Sequence, residues 1–212
     1  MLKTKKGEQE LSTEERIKEA AKKLFTQKGF EATKTRDIAE ASGINLALLN
    51  YYFRSKKKLF ELVMKENIQL FLGVIVEHFE NKNLSFEEKV AFVADHYIDM
   101  LLENPDLPSF VQQHIKTRPA PGEEAKGPAA QKIQLIRKYF IEDFEAGVKK
   151  GIYKDVHPMH VMANLMGLIV WPFTSTTMLM AKAGISNRKE FEKLMHQRKK
   201  MIPIWIKAMF EK

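Results

Sequence analysis

Residues Thr35 to Lys56 read TRDIAEASGINLALLNYYFRSK, and this stretch decides the fold. A short helix is expected to start after Thr33, taken as its N-cap, and to run through Ile38 and Ala39 to about Ala41. Gly43 supplies a position where left-handed backbone costs little, and Asn45 can cap a second helix running to about Phe53. Ala39 precedes Gly43 by four residues, a spacing suited to two helices crossing too closely for a large side chain. Ile38, Ile44 and Leu49 would fill the angle between them. The pattern is that of a helix-turn-helix.

On the second helix a period of 3.6 residues turns Leu48, Leu49, Tyr52 and Phe53 toward a core. Leu46, Ala47, Asn50, Tyr51 and Arg54 then face outward. Such a face suits a major groove: asparagine pairs bidentately with adenine, alanine and leucine touch a thymine methyl, and a tyrosine hydroxyl reaches a phosphate.

These residues resemble the DNA-binding domain of the TetR/AcrR family of bacterial transcriptional regulators. The resemblance is carried by RDIAEASGI from Arg36 to Ile44, by Tyr51-Tyr52-Phe53, and by Ser55, Lys56 and Leu59 opening the next helix. It covers about a quarter of the chain. It implies base contacts from Leu46, Ala47 and Asn50, and phosphate contacts from Thr35, Asn45, Tyr51, Tyr52 and Lys56. The family often carries a polar or basic residue where Leu46 stands and an aromatic where Asn50 stands, so no operator sequence can be borrowed.

Composition sets outer limits. The 212 residues suffice for one large or two small domains. There is no cysteine, which excludes disulfides and thiolate metal sites and suits a reducing cytoplasm. The first residues, Met1 to Gly7, are basic but lead into polar sequence, unlike a secretory signal. Of the net charge of +8, residues 1–60 hold 14 Lys/Arg against 8 Asp/Glu, or +6, leaving +2 for the other 152 residues. The basic end carries the motif, and binding of phosphates there should depend strongly on salt.

Taken in order, Met1 to Glu10 reads as a basic arm. Ser12-Thr13-Glu14-Glu15 offers a capping box for a first helix, with Ile17, Ala20, Ala21, Leu24 and Phe25 as its apolar stripe and an end near Gly29. Phe30 should pack under the motif. Ser55 can cap a helix from Lys56 to about Glu80, a mechanical link to the helices beyond it. Ser85-Phe86-Glu87-Glu88 is a second capping box, opening a helix to about Asn104. Pro105 and Pro108 lead into a short helix with Phe110, Val111, His114 and Ile115, and Thr117 to Pro128 reads as a loop.

A helix from about Ala129 to Lys150 comes next, with Ile133, Ile136, Phe140, Phe144 and Val148 on one side. Its successor, begun by Pro158, should run to about Ala181 with no charged residue. His160, Asn164, Pro172 and the Thr174 to Thr177 run argue against a membrane span and for a helix buried on most sides. Ala163 and Gly167 would let another helix approach, and with the preceding helix this one could form a four-helix interface across a two-fold axis, as the resemblance implies. The last helix, about Arg188 to Phe210, bends at Pro203, reads as packing and could share in the dimer interface.

The expected fold is therefore all-α: a helix-turn-helix domain over residues 1–55 and a helical effector-binding and dimerisation domain over 56–212. The expected function is sequence-specific DNA binding by a ligand-responsive dimer, a repressor on a palindromic operator. An architectural or protein-interaction module without operator specificity is the alternative. Candidate residues for an effector pocket are Tyr97, Phe110, His114, Met166, Trp171 and Phe173, aromatic or adaptable side chains of the middle helices. The freed carbonyl at Pro172 could border that cavity. The expected partners are double-stranded DNA, a second copy of the chain and a small, largely apolar effector. No cofactor, metal, catalytic residue or membrane contact is expected, since His157, His160 and Asp155 lack the further ligand a metal site needs.

Overall fold

The computed structural model describes residues 11–116 and 127–212, with only the backbone for 113–116. The basic arm over Met1 to Glu10, most of the Thr117 to Pro128 loop and the side chain of His114 lie outside the described residues. Ten helices and no strand occur among those described, with one isolated bridge between Tyr153 and Glu211. The chain divides into two compact units inside α4, after Lys65, so the division falls later than the expected 55/56 boundary.

The first unit holds α1 (Thr13–Ala32), α2 (Thr35–Ala41), α3 (Leu46–Phe53) and the start of α4 (Lys56–Glu80). Ser12 and Glu15 form the expected reciprocal box at the start of α1, and the two hydrogen bonds hold the Glu15 carboxyl below its ordinary pKa. The chain leaves helical geometry at Gly29 (φ 77°) but resumes for one more turn, which carries Phe30 onto Phe25 and Phe60 with ring centroids 6.1 and 4.7 Å away. Ile17, Ala21, Phe25, Ile38, Leu49, Phe53 and Leu59 close the core. Each large aliphatic side chain buried there contributes about 1.5 to 3 kcal/mol.

Two expectations for this unit are corrected. Thr33 does not cap α2: it is fully buried, and its hydroxyl donates to the carbonyls of Gly29 (2.7 Å) and Leu24 (3.3 Å), closing the end of α1 instead. Lys34 stands at the N-cap of α2, with no side-chain bond. On α3, Leu48 and Tyr52 are 37% and 41% exposed, so only Leu49 and Phe53 face the core. An eight-residue helix crossing its neighbours at an angle buries a narrower stripe than its periodicity offers.

The second unit holds the rest of α4, α5 (Phe86–Glu103), α6 (Leu107–Lys116), α7 (Pro128–Lys149), α8 (Pro158–Thr174), α9 (Thr176–Ala183) and α10 (Arg188–Phe210). Ser85 and Glu88 form the second capping box as expected. In α5, Val90, Ala94, Ile98 and Leu101 are buried, and with Phe79, Phe144, Leu165, Ile169, Ile202 and Ile206 they make the core. α4 and α5 run antiparallel along a seam of unusual polarity: Asn67 donates to Asn104 (2.9 Å), Phe71 lies against Tyr97 (5.0 Å), and His78 stacks on Phe92 (3.6 Å). At its closed end lies a lysine, Lys89, buried completely.

The charge-free run does not form one helix. It breaks at Ser175, and the Thr176 hydroxyl takes the last carbonyls of α8, those of Pro172 (3.0 Å) and Phe173 (2.9 Å). Nor is α8 buried on most sides, since Met159, Ala163, Asn164, Gly167 and Trp171 are exposed. On α7, Ile133 is 44% exposed, so its buried side begins at Phe140. No described helix is long and apolar enough to cross a membrane.

Candidate nucleic-acid interface

The turn between α2 and α3 is fixed from both sides. Its own backbone closes through Gly43 N–H to Glu40 O and Ile44 N–H to Ala39 O, each 3.0 Å, with Gly43 at φ 69°. From α1, the Arg16 guanidinium donates to Ser42 O at 2.6 Å, and a Cβ on Gly43 would lie 2.8 Å from that guanidinium. Glycine is needed there for the positive φ, and a side chain would also have to push the end of Arg16 aside. Lys28 of α1 pairs with Asp37 of α2 at 3.3 Å, and this bond holds the Asp37 carboxyl below its ordinary pKa. α1 thus braces the turn and α2 through named polar contacts as well as through its apolar stripe.

α3 begins where the Asn45 side chain accepts the Leu48 N–H at 2.8 Å. Its side-chain carbonyl is occupied there, while its amide NH2 makes no hydrogen bond to a described residue. Ala47 and Asn50 are exposed, Leu46 is half-buried, and Tyr51 stands out at 79% exposure with its ring edge on Tyr52 (5.6 Å). Thr35, in the first turn of α2, is half-buried. The outward face is therefore short, small near the N-terminus of α3 and aromatic near its end.

Lys56 has work inside the domain that the sequence does not disclose. Its ammonium donates to Phe30 O (2.7 Å) and Thr33 O (2.9 Å) and lies 4.3 Å from the centre of the Phe30 ring. Two of its three protons are thereby used to tie α4 to the end of α1, and one is left over. Lys57 and Lys58 beside it are exposed.

Residues 17–63, which contain all of this arrangement except Arg16, match the family model described as "Bacterial regulatory proteins, tetR family". The chain belongs to the TetR family. It is similar over nearly its full length to the probable HTH-type transcriptional regulator YttP of Bacillus subtilis, with 24% identity over 201 residues, 94% of this chain and 95% of that one. Over 77 residues it is 30% identical to the negative transcriptional regulator IcaR of the icaADBC biofilm operon in Staphylococcus aureus, 36% of this chain and 41% of that one. A transcriptional regulator from Saccharomonospora viridis, solved in complex with choline, shares the fold at a TM-score of 0.63 and 17% identity, covering 94% of this chain and 97% of that one. This TetR protein is thus a transcriptional regulator with a DNA-binding helix-turn-helix.

The residues expected around an effector in this TetR chain are dispersed among different neighbours. Tyr97 lies against Phe71 of α4, and burial raises its phenol pKa. Phe173 sets its ring edge on Phe191 of α10 at 5.6 Å, Phe110 is buried and Met166 half-buried. Trp171 is 47% exposed. A cavity of about 10 Å³, room for at most one water and too small for an effector, lies elsewhere, lined by Phe86, Glu87, Phe144, Tyr153 and Phe210. None of the five described candidates lines it.

The carbonyl freed by Pro172 does not open onto a cavity either: Leu168 O accepts the Arg198 Nε–H from α10 at 2.8 Å. His157 likewise serves locally, its Nδ1 accepting the Met159 N–H at the start of α8.

Proposed function

We propose that the protein is a dimeric repressor that places α3 of each subunit in successive major grooves of a palindromic operator. The observation that carries this reading is the outward face of α3, where Ala47, Asn50 and Tyr51 are exposed on a helix braced by Arg16 and Lys56. Asn50 reads an adenine, Leu46 and Ala47 meet thymine methyls, and Thr35, Asn45, Tyr51, Tyr52 and the free proton of Lys56 hold phosphates. Half-sites one helical turn apart, about 34 to 36 Å, or a modest multiple of it, follow from two-fold symmetry.

The dimer forms through α8 and α10. Exposed Met159, Ala163, Gly167 and Trp171 on α8, with exposed Met201, Ile204 and Ala208 on α10, favour this pair over the α7 and α8 pair expected from sequence. A small, largely apolar effector binds among the middle helices, where Tyr97, Phe110, Met166 and Phe173 remain candidates. It shifts the population toward a subunit spacing that no longer fits the operator, and acts only through its differential affinity for the two states. Choline in the Saccharomonospora viridis regulator is an instance of a small ligand on this fold. Repression as the sign of control draws support from the negative regulator IcaR.

Selection of bound duplexes from a random pool by the purified protein at near-physiological salt tests the reading. Recovery of a palindrome is expected. Salt-sensitive binding with no enriched sequence would overturn operator specificity and leave an architectural protein.

A further inference from the structure

Between α3 and α4 the chain turns on one residue. Arg54 has φ 54° and ψ −32°, and it is the only non-glycine residue with positive φ among those described. Its N–H closes on Asn50 O at 2.9 Å, and the next N–H, that of Ser55, closes on Phe53 O at 2.5 Å. A bond from residue i+2 back to residue i around a positive-φ centre is a γ-turn of the strained kind. At the other positive-φ positions, Gly29, Gly43, Gly127, Gly151 and Gly184, the chain uses glycine, which accepts this backbone at little steric cost.

The arginine side chain does not compensate the fold. Arg54 is exposed, and no hydrogen bond, ion pair or ring contact joins its guanidinium to a described residue. It follows Asn50 by four residues and Tyr51 by three, and it precedes Ser55, whose hydroxyl accepts the Lys58 N–H at the start of α4. Strain retained where the side chain makes no internal contact points to a use outside the molecule.

We infer that Arg54 is a phosphate-binding residue at the outer end of the recognition helix, gripping the DNA backbone that flanks each half-site. The strained turn keeps a five-donor, permanently charged group at a place where glycine would otherwise stand. This rests on the reading of α3 as the DNA-recognition helix.

The test compares Arg54→Gly and Arg54→Lys with the unaltered full-length chain, measuring thermal stability and binding to operator and random duplexes over a salt series. Arg54→Gly relieves the backbone, so its Tm should rise by roughly 2 to 4 °C. Its affinity should nevertheless fall roughly three- to tenfold on both duplexes, with the logarithmic salt slope smaller by about 0.9 per subunit. Arg54→Lys keeps the charge and should keep the slope.

An Arg54→Gly slope equal to that of the unaltered chain would overturn the inference. So would a Tm that falls with the affinity, because the loss would then be one of folding. If the unaltered chain itself shows no salt-dependent binding to duplexes, the failure lies in the DNA-recognition reading instead.

Discussion

The ammonium of Lys56 lies 2.7 Å from the carbonyl of Phe30, and with Thr33 O at 2.9 Å this makes the first residue of α4 a tie to the end of α1. Removing it leaves two carbonyls to water and frees α4 to shift under α3. Lys56→Ala should therefore lower stability by about 1.5 to 3 kcal/mol, the range for hydrogen bonds from a charged donor, and weaken DNA binding as well. Lys57→Ala, at an exposed neighbour, should reduce the salt slope of binding while leaving stability within about 0.5 kcal/mol. Denaturant melts and salt titrations of both variants separate the two effects. Equal stability of the two would sink the anchoring role.

The second unit has a more deeply buried lysine, and this one is in an ion pair. Lys89 Nζ, 1% exposed, donates to Asp143 Oδ2 of α7 at 2.7 Å and to Phe79 O, near the end of α4, at 2.9 Å. Asp143→Ala would leave a buried ammonium with a single carbonyl, and a loss of about 3 to 5 kcal/mol is expected. The double variant Lys89→Met with Asp143→Leu removes both charges and should recover most of that loss. A denaturation series on the unaltered chain, Lys89→Met, Asp143→Leu and the double variant checks it, and full additivity of the single losses would argue against a coupled pair.

That lysine also marks where the sequence stops being informative. Ser12, Asn45 and Ser85 are legible as caps because a cap is written within four residues, and the apolar stripe of α1 is legible because it too repeats over a few residues. Lys89 reads as one more surface lysine until Asp143, 54 residues on, is brought beside it. Thr33 looks like the start of α2 because its hydroxyl could serve either neighbour, and only packing decides for α1. The break at Ser175 is hidden because a run without charges carries no polar edge to time a helix. The expected aromatic pocket is the weakest reading, since Trp171 and Phe173 are near in sequence yet one is half-exposed and the other is packed on Phe191.

Asn50 separates reading a sequence from holding a backbone. Its exposed side chain supports none of the fold, so Asn50→Ala should leave the Tm within a few degrees. Specific binding should weaken by roughly 1 to 3 kcal/mol, and base preference should relax at one position in each half-site. Repeating the duplex selection with the variant reads this directly. A uniform loss across all sequences would move Asn50 to the phosphate contacts.

The proposed dimer is tested most sharply at Gly167. A Cβ built there meets no atom within 4 Å inside the subunit, so a larger residue has room and should favour helix over glycine by about 0.5 to 1 kcal/mol. At a close two-fold packing of α8 against α8 the same side chain would overpack, at a cost of roughly 1 to 3 kcal/mol. Gly167→Leu should therefore melt no lower as a subunit yet sediment as a monomer at concentrations where the unaltered chain is dimeric. Operator affinity would fall with it, because one α3 alone reads half a site. A Gly167→Leu protein that stays dimeric and binds normally would place the subunit interface away from this face of α8.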